Sequence, residues 1–489
     1  MSSTGNLVVR GTVISLVGQL AAQIIRFGSN IVLARFLPES AFGINAMVFA
    51  LTTGLWLMSD VGIGASVIRS KREDDDFINT AWTLSVARGF ILFGLGTIAG
   101  PIAAWFYREP QLVWLLPLCS TMVLLLASES TAYWVQQRRM SVGRTMGIDL
   151  AAQVVALFVA IPIAIYTEHV IALALAAVMS AAVKFVLTHL ILPGPRMRFR
   201  WDKLALKEIF SFGQWIFLST LFSFLATRWD VFSLARLQGF ALLGVYGLAG
   251  QITSVPNQIA IQVTNTILTP VLADAFRGSI EELRARLKEA RRAYLPAAAL
   301  LFVGAATTAP AFFLIAYKEG FHAAGPMAQL LMLPAWLAFL QEASSRALLA
   351  AGDGRGLALS NAVKVVGTII ATLVGFELWG FWGFVGGCGA GAVVGVVVVG
   401  WRLRDHGVTV LVGDLVATVV FFVVGGAACV VPMFLEPIVG IKSQWLTLVS
   451  CVLICGPLAV LVVERVKEAR ANARGTSVTL AAEMPRAGT

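Results

Sequence analysis

Arg26 lies near the middle of an apolar stretch that runs from Val8 to Leu37, and Gln19, Gln23 and Asn30 accompany it. On a helix these four positions share one face, so a single stripe of an otherwise greasy segment is polar and cationic. An arginine at membrane depth costs several kcal/mol unless it meets water, a partner or an anion. Arg88, Lys184, Arg228, Arg346 and Lys364 put further cations inside apolar stretches. Interior positive charge in such a chain suits a negatively charged ligand. The rival account of the Arg26 stripe is a polar seam between helices. A dry seam would demand a carboxylate partner at excellent geometry, which favours a cavity wall that binds an anion.

Three other constellations carry potential chemistry. Arg228 and Asp230 are two residues apart and do not face each other on a helix, so their partners lie on other helices or at the membrane surface. Glu342 and Arg346 stand at i, i+4 with the glutamate first, the favourable order for an intrahelical ion pair; direct substrate binding is the alternative. Gln251, Gln258, Gln262 and Asn265 follow one face around Pro256, where amides could receive sugar hydroxyls or bond to neighbouring helices. Asp60, Asp230 and Glu342 are the candidate ion-coupling groups. Glu129 and Asp149 are the other acidic residues in or near spans; any of these with Asp60 could be a proton or cation site, and a solvated helix end is the favoured account of Asp60 and Asp149. No Gly-x4-Gly-Lys-Ser/Thr loop is present. The glycines from Gly383 to Gly395 read as close helix packing. The four histidines have no partner spacing, no nucleophile has a base beside it, and the five cysteines fall inside apolar stretches. The expectation is therefore a protein that is not an enzyme and has no metal site and no cofactor.

The elements that position these residues are set by composition. The chain has 489 residues, mean hydropathy +0.82, 58% hydrophobic and 13% charged residues. A soluble domain carries about a quarter charged residues, so this is an all-α polytopic membrane protein. With about 20 residues per span, it divides into about fourteen transmembrane helices. Spans expected at 112–135, 208–235, 294–316, 357–377, 380–401 and 445–464 matter below. The first apolar stretch is too long for a cleavable signal. Basic runs at 69–72, 137–139, 196–207 and 277–292 fall on one side, which places both termini in the cytoplasm and lets those loops attract anionic membrane lipids. No soluble domain exists to bind nucleic acid. The expected organisation is an N-terminal six-helix bundle over 1–192, a basic cytoplasmic linker over 193–207, and a second six-helix bundle over 208–401. Two further helices occupy 402–466 and a disordered tail 467–489. A surface helix is expected over 280–294.

The run from Leu33 to Gly43 (LARFLPESAFG) resembles the "LAR-L-P-EDFG" signature of Wzx-type polysaccharide flippases, the polysaccharide branch of the multidrug/oligosaccharidyl-lipid/polysaccharide superfamily. Asp60 to Gly64, Asn79 to Trp82, Leu243 to Ala249 with Pro256 and Pro270, and Ala350 to Arg355 follow in the order and spacing of that branch, though Asp353 departs from its pattern. The resemblance covers most of residues 7–400. It implies two six-helix bundles around a central cavity, with two added helices. It implies a lipid-linked oligosaccharide on undecaprenyl pyrophosphate, moved across the bacterial inner membrane by alternating access, with polymerase and export machinery as partners. The site residues are then Arg26, Gln19, Gln23, Asn30, Arg88, Arg228, Arg346, Gln258 and Gln262. Rival functions are a drug or metabolite antiporter of the same superfamily and a membrane glycan polymerase or ligase. The energy source is open among proton, sodium and membrane potential.

Overall fold

The computed structural model describes residues 3–59, 63–69, 74–138, 142–194, 197–202, 224–225, 227–275, 280–350 and 353–439, with a few positions between 445 and 453. Among these every regular element is helical. The chain divides into two compact units, Met1–Gly247 and Leu248–Thr489. Eight described helices are long and apolar enough to cross a membrane, or nine if one bent pair is a single span.

The first unit contains α1 (Ser3–Phe36), α2 (Glu39–Met58), α3 (Ile63–Arg69), α4 (Asp75–Tyr107), α5 (Leu112–Ala127), α6 (Ala132–Arg138), α7 (Val142–Thr167) and α8 (Ile171–Ile191). It also contains α9 (227–237). α10 (Gly239–Ala275) begins in it. Helix α1 packs on α7, where Gly18 leaves room for Met146. Helix α5 packs on α4 and α8. The expected continuous span over 112–135 is broken instead: α5 and α6 meet at 57°. The break is stable because its polar groups find partners. Ser128 Oγ donates to Leu124 O (2.8 Å), Ser130 N to Thr188 Oγ1 (3.4 Å) and Thr131 Oγ1 to Ile78 O (3.3 Å). Of the amides at the break, that of Ser130 is thus met by the Thr188 hydroxyl and that of Ala132 by Ser130 Oγ (3.3 Å).

The second unit holds α11 (Ile280–Ala316), α12 (Ala324–Ala350), α13 (Gly354–Asp405) and α14 (Leu411–Val439). Its core is aromatic. Trp336 stacks on Phe421 with centroids 5.0 Å apart, meets Phe302 and Phe339, and donates from Nε1 to Thr418 Oγ1 (3.2 Å). The surface helix expected over 280–294 is not separate; it continues into the span as one helix. Leu287, Ala290 and Tyr294 are buried while Arg284, Lys288 and Glu289 are exposed, so one apolar stripe runs unbroken from the amphipathic part into the hydrophobic part.

Helix α13 contains the two spans expected at 357–377 and 380–401. It turns back at Trp379 (φ −134°) and Gly380 (φ 59°, ψ −139°), a conformation glycine adopts without penalty. The arms meet along glycines. A Cβ at Gly383 would strike the Gly375 carbonyl, one at Gly375 would strike Gly383, and one at Gly387 would strike Ala371. The close-packing reading of the Gly383–Gly395 cluster is what the structure shows. Gly383→Val is expected to destabilise the hairpin by about 3 kcal/mol, the scale of overpacking. Gly386→Ala, at an exposed site with nothing within 4 Å, should be neutral. Thermal unfolding of the two purified variants in detergent measures the contrast.

Candidate functional site

Helix α1 sorts its residues by face. Val17, Leu20, Ile24 and Val32 are exposed on one arc, and Gly18 packs on α7. At about 100° per residue, Gln19, Gln23, Arg26 and Asn30 lie roughly opposite the exposed apolar arc. Gln19 and Arg26 are exposed and Gln23 and Asn30 half-buried. The side suited to lipid and the polar side are therefore different sides of the helix. The Arg26 guanidinium has no ion-pair partner among the described residues; the backbone carbonyl of Arg26 accepts from Ser29 Oγ (2.8 Å).

Two other interior cations of the first unit, Arg88 and Lys184, are engaged. Arg88 is buried and caps the C-terminus of α2: Nε donates to Ser59 Oγ (2.8 Å), Nη2 to Trp56 O (2.6 Å), and the guanidinium lies 4.3 Å from the Trp56 ring centroid. A cation there completes the last carbonyls of the helix and complements its dipole. Lys184 of α8 sits 3.2 Å from Asp149 Oδ1 and 3.5 Å from Glu129 Oε1. Asp149, read from sequence as a candidate solvated helix end, instead holds this lysine and accepts from Tyr133 OH (2.8 Å). On α9, Arg228 and Asp230 are half-buried. Asp230 takes a hydrogen bond from Tyr246 OH of α10 (2.8 Å), a partner on another helix, one of the two arrangements expected from the i, i+2 spacing.

Part of the linker is docked. The amides of Arg198, Arg200 and Asp202 donate to Asn79 Oδ1 (2.7 Å), Thr83 Oγ1 (3.0 Å) and Thr80 Oγ1 (3.0 Å) on the first turns of α4. Arg200 pairs with Asp76 (2.8 Å). Alternate amides reach one helix because an extended chain repeats every two residues.

In the second unit, Arg346 Nη2 bonds Glu342 Oε1 at 2.9 Å, the intrahelical pair read from sequence. Lys364 of α13 is within electrostatic reach of that glutamate. Gln341 bridges to Ser360 Oγ and Asn361 Oδ1 (3.4 Å each). Gln258 and Gln262 of α10 are exposed and Gln251 half-buried. Asp60 and the Asn265 side chain lie outside the described residues. Among the described residues no group of histidine, cysteine or carboxylate ligands could hold a metal ion.

Two functional features escaped the sequence. Arg291 of α11 and Asp414 of α14 form a buried ion pair, with Ser344 Oγ and Tyr294 OH each 3.4 Å from Arg291 Nη1. Their separation of 123 residues hides the pairing. Asp353 caps α13 through Gly356 N (2.7 Å) and ties the hairpin's ends by bonding Arg402 (3.0 Å) and His406 (3.4 Å). The Gly356 amide, then His406 and Arg402, hold its carboxyl below the usual carboxylate range.

Residues 32–322 match the family described as polysaccharide biosynthesis protein. The chain is similar to the teichuronic acid biosynthesis protein TuaB of Bacillus subtilis, 23% identical over 310 residues that cover 60% of this chain and 61% of that one. It is also similar to the succinoglycan biosynthesis transport protein ExoT of Rhizobium meliloti, 21% identical over 248 residues and 50% of each chain. These matches span about half to three fifths of the relatives' length. Among solved structures, the lipid II flippase MurJ in an inward closed conformation aligns with TM-score 0.64 at 11% identity, over 93% of this chain and 98% of that one. An inward-facing multidrug resistance MATE family transporter of the MOP superfamily aligns with TM-score 0.58 at 16% identity, over 78% and 94%. At these identities the likeness is one of fold, that of an all-α protein with many apolar helices.

Asp414→Ala would strand a buried guanidinium and is expected to lower stability by about 3–5 kcal/mol. The double variant Arg291→Met with Asp414→Leu should recover most of that loss in chemical unfolding. Because the folded Asp353 carboxyl titrates low, its support for the hairpin is fully present above the ordinary carboxylate pKa and fades as pH falls through the depressed value. Asp353→Asn should flatten the acid limb of a melting-temperature profile.

Proposed function

We propose that this chain, which belongs to the polysaccharide biosynthesis protein family, flips an anionic lipid-linked glycan across the bacterial inner membrane for exopolysaccharide, capsule or O-antigen assembly. The carrying observation is the polar stripe of α1, on which Arg26 is exposed, has no carboxylate partner among the described residues, and faces away from the apolar arc. A guanidinium in that position suits a diphosphate, whose oxygens accept paired charge-assisted hydrogen bonds. Relatives named for teichuronic acid and succinoglycan biosynthesis, and the fold of a lipid II flippase, support the substrate class.

In this reading Arg26 is the leading phosphate ligand, with Gln19, Gln23 and Asn30 beside it. Arg228 supports it, balanced by the nearby Asp230. Arg88 acts by holding the end of α2. Arg346 is available to the ligand when its bond to Glu342 opens. Gln258 and Gln262 offer amides to the glycan while the lipid tail stays in the bilayer. Alternating access would rock one bundle against the other, with both termini in the cytoplasm. The polymerase and export machinery would receive the flipped unit.

Arg26→Ala is expected to abolish glycan export while the protein remains in the membrane, and Arg26→Lys to retain part of it. Normal export by the alanine variant would contradict the assignment. Export of organic cations by the wild type, with no effect on lipid-linked glycan, would favour the antiporter reading.

A further inference from the structure

The Lys184 cluster holds more charge than it can balance. Glu129 stands at the break between α5 and α6, Tyr133 on α6, Asp149 on α7 and Lys184 on α8. The ammonium lies 3.5 Å from Glu129 Oε1 and 3.2 Å from Asp149 Oδ1, and 4.5 Å from the Tyr133 ring centroid. Two ionised carboxylates against one ammonium leave a net charge of −1. Asp149 and Lys184 lie seven residues inside the nearer ends of α7 and α8, about 10 Å at the helical rise. The Glu129 side chain is only 11% exposed. An excess charge at that depth and burial is costly.

Among the described residues, no further cation is shown to act on Glu129; Lys184 and Asp149 are the charged groups that do. From α4, the neutral Trp82 donates to Ser128 O (3.1 Å), and Arg88 is turned to α2. From α8, Thr188 meets the amide of Ser130, while His189 rests against Trp82 with centroids 6.5 Å apart. The ammonium already occupies the place where a metal cation would bridge the two carboxylates. The remaining way to neutrality is a proton. Asp149 is the better served carboxylate, with the closer lysine contact and the Tyr133 hydroxyl; Glu129 has the longer lysine contact alone.

We propose that Glu129, Asp149, Lys184 and Tyr133 form a single-proton binding site in the first unit, with the proton carried on Glu129 and the other three groups positioning it. Its use as the coupling site for transport rests on the flippase reading; its existence as a proton site does not. Lys184 makes the site switchable. Withdrawal of the ammonium leaves two unbalanced carboxylates and draws a second proton in, and its return expels one. A shift of α8 against α7 would therefore move a proton.

Infrared spectroscopy of the purified full chain in lipid tests the site without any substrate. At neutral pH the wild type should show the carbonyl stretch of a protonated carboxylic acid. That band should shift when glutamates are carbon-13 labelled and stay when aspartates are. It should vanish in Glu129→Gln and grow about twofold in Lys184→Met. The labelling arm uses the unaltered chain, so a variant that misfolds does not decide the outcome. Absence of the band in the wild type, including its replacement by sodium binding, would overturn the proposal, as would a band that moves only with labelled aspartate. In proteoliposomes, an imposed pH gradient should drive lipid-linked glycan flipping by the wild type and not by Glu129→Gln. A wild type that shows the band yet moves no glycan lipid would sink the transport reading and leave the proton site standing.

Discussion

A charge removed from water must be paired, fully hydrogen-bonded, brought back to water, or neutralised by a proton. Among the described residues the first two solutions account for several interior charges. Arg291 and Asp414 neutralise each other where α11, α12 and α14 meet. Arg88 spreads its charge over a hydroxyl, a carbonyl and an indole face. Arg346 pairs along its own helix. Arg26 has neither solution among the described residues, and the third one gives it a role. The functional reading follows from that contrast more than from the number of cations, because paired cations tie helices together and an unpaired one must meet something from outside.

The same rule governs the backbone. Amides and carbonyls released where a helix breaks need partners just as charges do. At residues 128–131 hydroxyl side chains provide them, and Glu129 is thereby carried off the helix toward Lys184. At Trp379 and Gly380 the break turns the chain through a hairpin, and glycines let the two arms touch backbone to backbone. One break places a titratable group; the other builds a stiff wall whose ends are tied by Asp353 and Arg402.

Much of this was legible in the sequence because it depends on short-range periodicity. The α1 stripe, the Glu342–Arg346 pair, the two spans meeting near 380 and the glycine seam are all patterns within about twenty residues, the length of one span. That the chain is an all-α membrane protein followed from hydropathy; the expectation of two bundles around a cavity came from the family resemblance. What stayed hidden depends on contacts between distant segments. Nothing local announces that Arg291 will find Asp414, or that Asn79, Thr80 and Thr83 will receive the amides of residues 198–202. Hydropathy also cannot see the bend in the predicted 112–135 span, since serine and threonine lower it only slightly while offering the bonds that make a break affordable. The helical continuity of α11 was missed for the opposite reason. Its charged first half and apolar second half differ in composition but share one buried stripe.

The central claim is that Arg26 borders a water-filled passage that receives an anion. The direct measurement is thiol accessibility of Arg26→Cys in intact membranes, read against the parent chain, with a small membrane-impermeant reagent. The account predicts rapid modification at position 26. A cysteine at this position that stays unmodified while Val17→Cys and Ile24→Cys are equally inert would place the whole helix in dry surroundings and contradict it.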